Sequence, residues 1–148
     1  MATLSPQGQR LASEARRLIA DAKARRLAAG PGIPEGWDRT IEMQYPDIWL
    51  PYRLGVPGGW CDLVAAFSTQ LRRHAPGAFV NDSKEKYGGL RIDCVGTGDM
   101  ETAWLLEEIY ETASEGVCQD CGERGHMRTD RGWYATLCDR HAETREPT

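Results

Sequence analysis

The chain has 148 residues, of which 41% are hydrophobic and 27% charged, and its formal net charge at neutral pH is −4. A chain of this length builds one domain with a hydrophobic core and little more. The negative net charge excludes a global electrostatic attraction to nucleic acid, and no apolar run approaches the roughly 20 residues that a membrane-spanning helix needs.

The first predicted helix begins at Ser5-Pro6 and ends at Gly30. Serine caps a helix, proline suits its first turn, and glycine ends it. Apolar residues between these points recur at helical spacing: Leu11, Ala15, Leu18, Ile19 and Ala22. The other face carries six of the 18 basic residues: Arg10, Arg16, Arg17, Lys23, Arg25 and Arg26. This basic face is either simply solvated or binds phosphate or a partner.

The segment 31–58 contains five of the eight prolines and four aromatic residues. Proline at this density rules out a long helix, and the aromatic residues argue against disorder. We therefore predict an extended, partly packed segment. It either covers the core or exposes Tyr45, Trp49 and Tyr52 as a recognition patch, because aromatic residues anchor protein interfaces.

A second amphipathic helix and a hairpin come next. The helix begins at Trp60 and ends before Pro76. In the residues 79–95, Leu90, Ile92 and Cys94 alternate with Arg91 and Asp93, which predicts a half-buried antiparallel hairpin. We place its turn at Gly88 and Gly89 and expect it to require both glycines.

The third predicted helix covers 99–114 and is acidic. The residues 99–115 include six acids and neither lysine nor arginine. We expect four side chains of this helix to face inward: Trp104, Leu105, Ile109 and Ala113. Glu101, Glu108 and Glu111 are then available to meet a basic partner or to imitate nucleic-acid charge, whereas the alternative is a solvated face.

Two ligand pairs near the C-terminus have the spacing of a zinc site. Cys118 and Cys121 are separated by two residues, Cys138 and His141 also by two, and sixteen residues lie between the pairs. Two short strands, HMRT and WYATL, are predicted there, joined at 130–132, and CDRHAETR begins a short helix. Knuckle, hairpin and helix in this order predict a treble-clef-like zinc unit. The alternative is a disulfide pair with an incidental histidine.

The remaining cysteines favour metal over disulfide. The chain has five cysteines, an odd number, and its first thirty residues are charged and lack the apolar region of a signal peptide. We therefore expect a cytoplasmic protein with reduced thiols. Cys61 and Cys94 lie at apolar positions and are expected to be small buried core residues.

The zinc is expected to be structural, because four good ligands leave no open position for water. His141-Ala142-Glu143 imitates the H-x-E of deaminases, but that motif precedes a P-C-x-x-C, whereas here it follows a C-x-x-C. We therefore expect no enzymatic activity.

The element order predicts an α+β fold. Its parts are 1–30, 31–58, 59–114 and the zinc unit 115–148, all within one compact domain.

Five stretches in the second half of the chain form a recognisable set: GGW opening a helix, KEKYGGLRI, SEGVC, C-x-x-C-G, and GW followed by TLCDRH. In these stretches the chain resembles a family of small zinc-binding proteins from bacterial and phage genomes. Family members typically have KEKFGGLRFY and GW-x-x-TLC-x-x-H, so the match covers roughly 59–141. The chain departs at Tyr87, where the family has phenylalanine, and at IDCV, where an aromatic residue usually follows. The resemblance implies fold, zinc and a phage or prophage context, but no activity.

Two functions from different classes remain. The first is a non-enzymatic protein-binding module, for example a phage protein that modulates a host defence factor, with these contact residues: Glu101, Glu108, Glu111, Trp49 and Tyr52. The alternative is a nucleic-acid-binding protein that uses Arg17, Arg25, Arg124, Arg128 and Arg131. We favour the first, because net charge is negative and the basic residues are interleaved with acids. No small-molecule substrate or membrane contact is indicated.

Overall fold

A computed structural model describes residues 4–51, 53–130 and 132–144. The elements are, in order, α1 (Pro6–Ala29), α2 (Trp37–Gln44), a 3₁₀ turn (Gly58–Trp60), α3 (Cys61–His74), β1 (Ala78–Lys86), β2 (Gly89–Gly96), α4 (Met100–Ser114), β3 (His126–Arg128), β4 (Ala135–Leu137) and α5 (Asp139–Thr144). Strands β1 and β2 form one antiparallel pair, and β3 and β4 form a second. The predicted α+β fold is confirmed.

Helix α1 has the predicted ends. The Ser5 hydroxyl accepts a hydrogen bond of 3.1 Å from the Gly8 backbone N–H, and the Gly30 N–H donates to the Arg26 carbonyl. The helix buries Leu11, Ala15 and Ala22. Its contacts are with α3 and α4, so one long amphipathic helix covers two others.

The segment 31–58 differs from the extended chain that we predicted, because it includes the helix α2. Trp49 is 1% exposed, and its indole N–H donates to the Ser68 hydroxyl at 2.8 Å. An exposed recognition role for Trp49 is therefore wrong. Tyr45 is half-buried and shares a hydrogen bond of 2.9 Å with Thr69, whereas Tyr52 lies outside the described residues.

The β1–β2 hairpin turns one residue earlier than predicted. Lys86 pairs with Gly89, and the two residues between them have positive φ, +55° at Tyr87 and +80° at Gly88. Positive φ at both central positions is the geometry of a type I′ turn. A Cβ on Gly88 would also lie 2.5 Å from the Met127 sulfur, whereas one on Gly89 would meet only ordinary contacts. The expectation that Gly89 is required is therefore wrong.

Helix α4 turns Leu105, Ile109 and Ala113 toward the core as predicted, but not Trp104. Leu106 and Tyr110 are fully buried, and Ile109 is 8% exposed, whereas Trp104 is 53% exposed. Leu106 and Tyr110 are four residues apart and share the buried face of the helix. Trp104 lies two residues before Leu106, so it points to the opposite, outer side. The expected inward position of Trp104 is wrong.

The main core lies between α1, α3, α4 and the inner face of the β1–β2 hairpin. Phe67 of α3 meets Tyr110 edge to face, with ring centroids 5.4 Å apart. The Tyr110 hydroxyl donates to the side chain of Gln70 at 2.6 Å, so this buried polar group is satisfied. Among the described residues, no helix has the length and apolar character to cross a membrane.

Candidate metal centre

The four predicted ligands converge on one point. The sulfurs of Cys118, Cys121 and Cys138 and a ring nitrogen of His141 all lie within 4.8 Å of one another. All five cysteines are free thiols, so the disulfide alternative is wrong. Cys118 is buried, and the other three ligands are half-buried.

The separations between the ligand atoms fit a tetrahedral ion. With metal–sulfur bonds of about 2.3 Å and metal–nitrogen bonds of about 2.0 Å, tetrahedral angles place two sulfurs about 3.8 Å apart and sulfur and nitrogen about 3.5 Å apart. The Cys121–Cys138 sulfur distance is 3.8 Å, and the Cys118 sulfur lies 3.6 Å from His141 Nδ1. Cys138 lies slightly closer to this nitrogen, at 3.2 Å. This Cys₃His set can therefore hold one metal ion.

Comparisons with protein-family models, with curated proteins and with solved structures found no match for this chain.

The first ligand pair lies on a tight knuckle. The Cys118 N–H donates to the Glu123 carbonyl at 2.7 Å, and the Gly122 N–H donates to the Cys118 carbonyl at 3.0 Å. Gly122 has φ +79°, a conformation that costs glycine little. This folded-back loop turns Cys118 and Cys121 toward the same point.

Hydrogen bonds and burial shift the pKa values of two ligand thiols in opposite directions. Burial acts to raise the pKa of Cys138, but hydrogen bonds from the backbone and ring of His141, and from Cys118 and Cys121, lower it to about 7. Burial raises the pKa of Cys121 to about 11. Because metals bind thiolates, loading the site displaces protons from these sulfurs.

Of the second ligand pair, Cys138 lies between β4 and α5 and His141 lies in α5. Arg128 binds the residues on both sides of Cys138. Its guanidinium donates to the Leu137 carbonyl at 3.0 Å and to the Asp139 carboxylate at 2.8 Å. Cys138 lies between those two acceptors in the chain. Arg128 is one of the residues of the nucleic-acid alternative, and here its guanidinium binds the two residues that flank the ligand Cys138.

Three backbone-directed contacts hold the metal unit, defined as the described residues of 115–144, against the core. The Gly59 N–H donates to the Gln119 carbonyl at 2.8 Å, and the Trp60 indole donates to the Val117 carbonyl at 2.9 Å. The Thr136 hydroxyl donates to the Gly88 carbonyl at 2.7 Å. The GGW and KEKYGGLR stretches of the sequence therefore meet at the metal unit.

Gln119 connects the two halves of the metal unit, and our sequence analysis missed it. Its N–H donates to the Thr136 carbonyl at 2.9 Å, and its side-chain oxygen accepts from the Thr136 N–H at 2.7 Å. Both residues are buried. In the sequence, the one sign of this role is that Gln119 lies between Cys118 and Cys121 of the knuckle. That position alone is a weak indication of a structural contact.

Helix α1 also reaches the metal unit. Lys23 forms a salt bridge of 2.8 Å with Glu123, and Arg26 forms two hydrogen bonds of 2.9 Å with Asp62. The Arg26–Asp62 pair is nearly buried, and a Cβ on Gly122 would lie 3.1 Å from the Arg26 guanidinium. Two of the basic residues of α1 are thus engaged in internal pairs.

The two cysteines outside the site are buried, as predicted. Burial raises the pKa of Cys61 to about 12 and raises that of Cys94 even further. Protonated, buried thiols react slowly with electrophiles.

The five thiols should therefore react with a disulfide reagent in two classes. In metal-loaded protein, we expect slow reaction until a chelator is added, and then release of the three ligand thiols. Cys61 and Cys94 should react only in denaturant. Absorbance of the released thiolate counts both classes, and Cys61→Ala should lower only the denaturant-dependent one. Fewer than three chelator-released thiols would contradict the ligand set.

The candidate surface residues occupy separate regions. Glu101 and Glu108 are exposed on α4, whereas Glu111 is half-buried and forms a salt bridge of 2.6 Å with Arg91. Arg17, Arg25 and Arg124 are exposed, and Arg131 lies outside the described residues.

Proposed function

We propose that the bound ion is Zn²⁺ and that the metal unit is a treble-clef-like structural site. Three thiols and an imidazole are ligands that zinc prefers. The order of knuckle, hairpin and helix supports the treble-clef assignment. Four protein ligands complete a tetrahedron and leave no position for a substrate or water, so the site stabilises the fold and has no catalytic role.

We infer that the protein is a non-enzymatic binding module for another protein, which it meets through α4. The observation that carries this is an exposed Trp104 on an acidic helix face. Trp104 is 53% exposed and lies three residues after Glu101 and four before Glu108, so the three form one surface stripe. We call this the α4 stripe. Tryptophan dominates binding energy at protein interfaces, and the two carboxylates favour a basic partner.

The charge of α4 supports a role in binding. The helix has no basic residue in its last turn to complement its dipole. Glu107 accepts a hydrogen bond of 2.9 Å from the Cys94 N–H, and Glu111 pairs with Arg91. Glu101 and Glu108 are exposed, so their carboxylates are accessible to a partner.

Nucleic-acid binding is the weaker candidate, because several of its cations are already engaged. Arg128, Arg26 and Lys23 form internal contacts with acidic groups. Arg17, Arg25 and Arg124 are exposed, so they are the residues through which nucleic-acid binding can be tested.

Charge reversal on the α4 stripe separates the two functions. We expect Glu101→Lys with Glu108→Lys to abolish capture of the protein partner from the source cell, and Trp104→Ala to weaken capture by at least about 30-fold. The far-UV spectrum should not change. The matched control is Asp21→Lys with Glu35→Lys, two exposed acids away from the stripe, which should leave capture intact.

If the protein binds nucleic acid instead, the same stripe reversal should strengthen binding to duplex DNA. Arg17→Ala with Arg124→Ala should then weaken it and lower the salt slope by about 0.9 for each lost phosphate contact. Full capture by the stripe variant would overturn the protein-binding proposal.

A further inference from the structure

A groove runs between α1 and α4 beside the α4 stripe. It encloses about 530 Å³. Six apolar residues line it: Leu4, Ala12, Ala15, Ile19, Ile109 and Ala113. Pockets that bind ligands have volumes of about 300–1,000 Å³, so this groove accommodates several apolar side chains.

The two rims of the groove carry opposite charge. Arg16 lies on the α1 rim, and Glu108 and Glu111 lie on the α4 rim. Glu111 is paired with Arg91, but no described residue forms an ion pair with Glu108. Because Glu108 also belongs to the α4 stripe, the groove and the stripe form one continuous surface.

The walls of the groove decide what kind of segment fits. Both walls are helices, whose backbone N–H and C=O groups are already paired, so an added β-strand has nothing to bond with. The small side chains of Ala12 and Ala113 allow close approach of another helix, which is how an amphipathic helix lies in an apolar groove.

We propose that the α1–α4 groove binds an amphipathic helix of a partner protein, with lysine or arginine along the edge that faces α4. The apolar stripe of that helix lies against Ile19 and Ile109, and its cations meet Glu108 and Glu101. If the bound helix turned its cationic edge toward α1, those cations would lie beside Arg16 and be repelled. The charges on the two rims therefore favour the orientation in which the cationic edge faces α4. This inference rests on the proposed protein-binding function and names its partner class.

The test uses a labelled helical peptide of about 18 residues, five turns, with a leucine stripe and lysines along one edge of that stripe. Its binding to the metal-loaded protein is followed by fluorescence anisotropy. Of the five tryptophans, Trp104 is the exposed one, so its emission should shift to shorter wavelength on binding. A peptide with glutamate in place of lysine should bind at least about tenfold more weakly.

Three variants test the groove itself. Ala12→Phe fills it and should weaken lysine-peptide binding at least about tenfold, and Ala24→Phe, on an exposed position of α1, is the matched control. Glu108→Lys should weaken binding, and Arg16→Glu should strengthen it. Equal binding of both peptides, no binding of either, or unchanged binding to a folded Ala12→Phe variant overturns the proposal.

Two further outcomes have separate meanings. If the wild type is a dimer in sedimentation equilibrium and Ala12→Phe makes it a monomer, a second copy of the chain occupies the groove, and the proposal is wrong. If the α4-stripe variants lose partner capture but Ala12→Phe keeps it, the groove assignment fails and the protein-binding function stands.

Discussion

Replacing Cys138 with serine should release the metal and unfold the metal unit. The Cys138 sulfur lies 3.8 Å from the Cys121 sulfur and 3.2 Å from His141 Nδ1. Its removal therefore leaves the ion with three of its four ligands. Structural zinc contributes about 10–16 kcal/mol, against a total stability of about 5–15 kcal/mol for a small domain. Elemental analysis and near-UV circular dichroism measure the loss.

The control for this variant is Cys61→Ser, which changes a buried thiol outside the site. It should be destabilised, yet still carry about one zinc per chain, because the four ligands remain. A Cys138→Ser protein with the thermal midpoint of the wild type would show that the metal does not hold the fold.

Replacing Gly59 with alanine should separate the metal unit from α3. The added Cβ would lie 2.1 Å from the Cys118 carbonyl oxygen and 2.5 Å from the Gln119 carbonyl carbon. Both atoms belong to the backbone, so no side-chain rotation relieves the clash. We expect a loss of about 2–4 kcal/mol, which lowers Tm by about 10 °C, together with weaker zinc binding.

Gly55→Ala is the matched control, since it adds the same methyl group only four residues away. Nothing lies within 4 Å of a Cβ there, and the backbone N–H keeps its hydrogen bond to Ser83. Calorimetry and a competition titration with a chromophoric chelator compare the two variants. Equal midpoints for both would mean that the knuckle does not depend on close contact with Gly59.

The metal centre could be predicted from sequence because its chemistry is local. Cys118 and Cys121 belong to one turn, Cys138 and His141 belong to one turn of helix, and the ion requires four such donors wherever the rest of the chain lies. The ends of α1 were predictable for the same reason, since capping involves neighbours such as Ser5 and Gly8.

The outward position of Trp104 on α4 could not be predicted in this way. Trp104, Leu105 and Leu106 are consecutive apolar residues, and their order permits more than one inward face. The choice depends on Tyr110, which fits edge to face against Phe67 of a different helix. The burial of Trp49 is a second example, because its indole N–H donates to Ser68, a partner nineteen positions away.

The contacts that hold the metal unit also bear on the order of folding. They join residues 48, 57 and 100 positions apart, from Gly88 to Thr136, from Trp60 to Val117 and from Lys23 to Glu123. The entropy lost on closing such loops must be offset before these contacts form, so distant pairings consolidate late. During synthesis the helices α1 to α4 and the first hairpin leave the ribosome before His141 does. Complete coordination of the metal is thus available only after the residues of the main core have been synthesised.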